Sequence, residues 1–65
     1  MIEEKAKAIR RDAILEFNAG NFKDALEYFK LVLQLLQSIY PANHPECVKA
    51  EKSILLTQRK IQQTR

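Results

Sequence analysis

The sequence predicts an all-α fold, an antiparallel α-hairpin with a third helix packed across it, in a single domain over residues 1–65. Three observations carry this. Apolar residues recur at steps of three and four in three successive segments, the spacing of a helix that buries one face. The one glycine and the two prolines fall between those segments rather than inside them. No segment alternates apolar and polar residues for long enough to read as a strand.

The first helix is expected over about residues 2–18, where Ile2, Ala6, Ile9, Ala13 and Phe17 form the stripe. Glu3 and Glu4 lie in its first turn, where the positive end of the helix dipole favours carboxylates. Gly20, after Asn18-Ala19, can take the left-handed conformation that closes a helix. Asn21 is then an N-cap, with Asp24 three residues on as a weak capping-box partner.

The second helix is expected over about residues 22–39. Phe22, Ala25, Leu26, Phe29, Val32, Leu33, Leu36 and Ile39 make a broad apolar face, and Tyr28, Leu31 and Leu35 carry it onto a second one. A helix apolar over so much of its circumference belongs between two neighbours. Pro41 ends it, because the residue before a proline is pushed out of the α region. Pro45 suits the first turn of the third helix, about residues 45–62, with Asn43 or His44 as its cap. Cys47, Ala50, Ile54 and Ile61 form its main stripe, Val48 and Leu55 lie beside it, and the tail from Gln62 to Arg65 is expected to fray.

A chain of 65 residues has a marginal core. Cys47 is the single cysteine, so no internal disulfide forms, and with His44 as the single histidine a four-ligand zinc site is not expected. Catalysis needs a nucleophile, a base and an orienting group, or a metal. His44 reads as a turn or cap residue and Cys47 as a small core hydrophobe. A phosphate-cradling loop needs several glycines, and this chain has one. No enzyme activity, cofactor or metal is therefore expected. The charged start, Met1-Ile2-Glu3-Glu4-Lys5, lacks the apolar run of a signal peptide, no stretch is long and apolar enough to span a membrane, and the free thiol fits a reducing compartment, together an expectation of the cytoplasm.

Gly20-Asn21-Phe22-Lys23-Asp24-Ala25-Leu26-Glu27-Tyr28-Phe29 resembles the turn and second-helix start of a tetratricopeptide repeat. Ala13 and Ala25 fall at the small positions where the family's two helices approach, and Phe29 at the following aromatic. Tyr40-Pro41-Ala42-Asn43-His44-Pro45-Glu46 resembles the linker of kinesin-light-chain-type repeats, so the third helix would open a following repeat. The resemblance covers roughly residues 7–61. Asp12, where leucine is usual, and Val32, where alanine is common, depart from it. The same Gly-x-Phe-x-x-Ala-Leu signature is also similar to the microtubule-interacting-and-trafficking domain, a three-helix bundle that grips an amphipathic helix between its second and third helices.

The formal net charge is +3, with basic ends and an acidic middle. The bland reading is a set of solvated helix faces. The repeat resemblance implies more. Lys7, Arg10 and Ile14 from the first helix, and Lys49, Lys52, Leu56 and Arg59 from the third, would line a basic groove with two apolar contacts, suited to an acidic, amphipathic peptide or helix. It implies no carboxylate clamp, which uses asparagine together with lysine. The same resemblance leaves Tyr28, Leu31 and Leu35 to be covered by a second copy in a homo-oligomer, by more chain, or by a partner helix, unless the third helix already covers them. The expected function is a non-catalytic protein–protein interaction or scaffold module. The alternatives are a trafficking adaptor of the second kind and a basic binder of nucleic acid or acidic membranes. Nucleic acid is disfavoured because no aromatic is interleaved with Lys49, Lys52, Arg59 and Lys60.

Overall fold

The computed structural model describes residues 1–63 as three helices: α1 (Ile2–Asn18), α2 (Phe22–Gln37) and α3 (Pro45–Gln63). Among the described residues there is no strand. Thr64 and Arg65, the end of the expected fraying tail, lie outside the described residues, whereas Gln62 and Gln63 are helical.

The turn between α1 and α2 follows from one residue. Gly20 has φ +87°, a backbone that side chains with a Cβ rarely adopt. Its N–H donates to the Phe17 carbonyl at 3.1 Å, and the Asn21 N–H donates to the Glu16 carbonyl at 2.9 Å. Together these satisfy carbonyls that the end of α1 would otherwise leave without partners. Asn21 occupies the N-cap position of α2, but the expected capping box does not form, since its side chain makes no cap hydrogen bond. Its Nδ2 donates instead to Glu16 Oε2 at 3.2 Å, tying the two helices across the turn. The T-shaped pair Phe17–Phe22, with centroids 5.0 Å apart, packs at the same end.

α2 ends at Gln37, two residues before Ile39. The Ser38 hydroxyl donates to the Leu35 carbonyl at 2.6 Å, and the Ser38 and Ile39 amides tighten to carbonyls three residues back. The turn that follows carries the His44 N–H to the Pro41 carbonyl at 2.9 Å. Of the two candidate caps for α3, His44 is the one used: its Nδ1 accepts from the Glu46 N–H at 3.1 Å.

α2 packs against both other helices, which meet each other far less. The core divides into two clusters. Ala6, Val32, Leu36, Cys47 and Ala50 come from all three helices, with Ile9, Leu33, Leu35 and Tyr40 packed against them. Ala13, Ala25 and Phe29 form the other, closed by Phe17 and Ile54. Four alanines in these clusters allow close approach of the helix axes, which is set by the side chains at the contact. The body measures 36 × 21 × 13 Å, wider than it is thick, as expected where α1 and α3 flank α2 and leave a seam between them.

The main expected stripes are buried or half-buried except at Ile2 and Ile39, which are 40% and 39% exposed at helix ends. Thr57, which the apolar stripe of α3 passes over, is fully buried. Its hydroxyl donates to the Ser53 carbonyl one turn earlier at 2.8 Å, so the buried oxygen is satisfied within its own helix.

Candidate protein-interaction groove

The seam between α1 and α3 holds two concavities. The larger, about 190 Å³, is lined by Ile14 and Phe17 from α1, Phe29 from α2, and Ser53, Leu56 and Thr57 from α3. The smaller, about 40 Å³, lies toward the other end of the seam, where Glu3, Lys7 and Arg10 of α1 meet Tyr40 and Glu46 across Ala6 and Leu36.

Helical geometry explains this set. On α1, Glu3, Lys7, Arg10, Ile14 and Phe17 follow one another at steps of four and three, so they form one stripe. On α3, Glu46, Lys49, Ser53, Leu56 and Lys60 do the same. The two stripes run in the same direction, because α1 and α3 are both antiparallel to α2. Charge is concentrated near the start of the stripes and apolar surface further along.

The sequence-predicted residues divide accordingly. Ile14 and Leu56 line the larger concavity together while remaining 44% and 52% exposed. Lys7 and Arg10 line the smaller one. Lys49 is exposed and pairs with Glu46 at 3.4 Å, one turn back on its own helix. An exposed pair of this kind contributes little to stability. Lys52 and Arg59 are exposed but line neither concavity. Each lies beside the lining stripe, on the flank of α3 turned away from α1. Tyr28 and Leu31 are 36% and 44% exposed, and Leu35 is half-buried against the core.

Sequence reasoning passed over Phe17 and Phe29 as groove walls, because large apolar residues on a helix stripe read as core. It also passed over Glu3, Tyr40 and Glu46. The step pattern through Glu46, Ser53 and Leu56 is the signal that could have found that rim.

Tyr40 ties the charged end together. Its ring stacks on His44 with centroids 3.8 Å apart and planes 11° from parallel. Glu3, hydrogen-bonded to its hydroxyl, raises the phenol's pKa above the ordinary 10.0, helped by desolvation and by the charges of Glu3, Glu46 and Cys47. Among the described residues no group of three or more His, Cys, Asp or Glu side chains could hold a metal ion, and no helix is long and apolar enough to cross a membrane. Compared with known protein families, curated proteins and solved structures, the chain matches none.

Proposed function

We propose that the chain is a non-catalytic protein-interaction module with a tetratricopeptide-like groove, taking an acidic amphipathic helix or peptide along the α1–α3 seam. The observation that carries this is the pairing of Ile14 and Leu56, two large side chains about half exposed, across one apolar concavity of about 190 Å³. Completing their burial is favourable by about 1 kcal/mol each, roughly half of what full burial of such a side chain gives. Lys7 and Arg10, further along the same α1 stripe, favour a ligand whose carboxylates lie a few turns from its apolar anchor. The buried free thiol of Cys47 is at home in a reducing compartment such as the cytoplasm.

The test is titration of a synthetic amphipathic peptide, with leucine on one helical face and glutamate on the other, followed by amide chemical shifts. Shifts should concentrate on Ile14, Phe17, Phe29 and Leu56, and Leu56→Ala should weaken binding about fivefold, the equivalent of roughly 1 kcal/mol. Added salt should weaken binding modestly. A steep collapse with salt, together with indifference to Leu56→Ala, would identify a polyelectrolyte binder and defeat the groove reading.

A further inference from the structure

A second apolar surface lies roughly a quarter-turn around α3 from the lining stripe of the groove. Tyr28 and Leu31 on α2, and Val48 and Leu55 on α3, are 36%, 44%, 36% and 57% exposed. On α2, Asp24, Tyr28, Leu31 and Leu35 succeed one another at steps of four and three, so they share a face. On α3, Val48, Lys52, Leu55 and Arg59 do the same. Apolar patches of this kind on a small protein mark contact surfaces.

The two faces match in level as well as in chemistry. Val32 and Leu36 share a cluster with Cys47 and Ala50, and Ala25 and Phe29 pack with Ile54. This antiparallel register sets Asp24 level with about Arg59, Tyr28 with about Leu55, and Leu35 with about Val48. A two-fold axis along the common helix direction lays α2 of one copy on α3 of another at equal height. Tyr28 then meets Leu55 and Leu35 meets Val48, Leu31 lies against the aliphatic stem of Lys52, and the Asp24 carboxylate meets the guanidinium of Arg59 in the second copy. A surface whose acidic and basic edges exchange under a two-fold rotation is self-complementary, which is what an isologous dimer requires.

We propose that the chain forms a two-fold dimer through this α2–α3 face, with Leu31 and Leu55 at its centre and Asp24–Arg59 pairs at its rim. The dimer leaves the α1–α3 seam open, so it stands or falls independently of the groove. Glu51, one turn before Leu55, puts a carboxylate on the same part of α3 and keeps the association weak.

Sedimentation equilibrium of the whole chain tests this. The average mass should rise from 7.6 kDa toward twice that value as concentration increases from about 10 µM to about 1 mM. Leu31→Ser with Leu55→Ser should leave a monomer of unchanged helix content by circular dichroism, since both side chains are already about half exposed. Asp24→Arg and Arg59→Asp should each weaken association about tenfold, and an equimolar mixture of the two should recover it, because both rim pairs are restored in the mixed dimer. Glu51→Gln should tighten it. A mass that stays at 7.6 kDa throughout would overturn the proposal. So would a dimer that persists in the double serine variant, or charge variants that do not recover on mixing.

Discussion

The His44 imidazole lies face to face with the Tyr40 ring, 3.8 Å between centroids, while its Nδ1 accepts the Glu46 N–H at 3.1 Å. One side chain therefore closes the loop between α2 and α3 and caps the helix that follows. Stacked aromatic pairs contribute about 0.5–1.5 kcal/mol beyond area, and an N-cap about 1 kcal/mol. His44→Ala loses both and should destabilise the chain by about 2 kcal/mol in urea unfolding. His44→Asn restores a capping acceptor and should recover roughly half of that loss. A double-mutant cycle with Tyr40→Ala isolates the stack. A coupling near zero would show that the two rings merely lie adjacent.

The turn at Gly20 makes a sharper prediction, because space and backbone conformation separate there. A Cβ built on this residue meets nothing within 4 Å, yet φ is +87°. Gly20→Ala should therefore cost about 1 kcal/mol through backbone strain alone, with no repacking of the core. Gly20→Asn should cost less, since asparagine tolerates the left-handed region. The check is a shift of the urea midpoint at unchanged slope, with core methyl chemical shifts preserved.

The hairpin was the most legible part of the sequence. The repeat resemblance implies that Ala13 and Ala25 face one another at small positions, and both are fully buried in one cluster. The groove was less legible for a geometric reason. A helix stripe can be drawn through Lys49, Lys52, Leu56 and Arg59 or through Glu46, Lys49, Ser53 and Leu56, and the two share members. Only the packing of Cys47, Ala50 and Ile54 against α2 decides which of them faces α1. The side chain of Asn21 was misassigned because the competing partner, Glu16, sits on the preceding helix and approaches only once the turn has closed.

Thr57 escaped the reading because hydroxyl residues are counted as polar, and its burial leads to a counterintuitive prediction. The Ser53 carbonyl that its hydroxyl contacts belongs to the backbone ladder of α3, where an amide one turn on already serves it. Thr57→Val keeps the shape, removes the buried hydroxyl and leaves no orphaned acceptor, so stability should change by less than about 1 kcal/mol. Thr57→Ala removes a methyl as well and opens a void beside the larger concavity, costing about 1–2 kcal/mol. If the valine variant proved the worse of the two, the hydroxyl would have to be holding more than its own helix.

Alkaline pH should weaken the charged end of the seam before the rest of the molecule. Folding raises the Tyr40 pKa above 10.0, first through the hydrogen bond to Glu3 and then through desolvation and nearby negative charge. The folded chain thus holds the phenol proton more tightly than the unfolded chain does. The resulting stabilisation is fully present below pH 10 and is lost as pH rises through the folded-state value. Wild-type stability should therefore fall with pH above about 10 more steeply than that of Tyr40→Phe, which keeps the ring and removes the proton. Glu3→Gln removes both the acceptor charge and its repulsion of the phenolate, so the Tyr40 absorbance titration near 295 nm should move back toward 10.0. An unmoved titration would mean that the carboxylate does not reach the hydroxyl in solution. The capping histidine and the groove rim would then be joined by ring stacking alone.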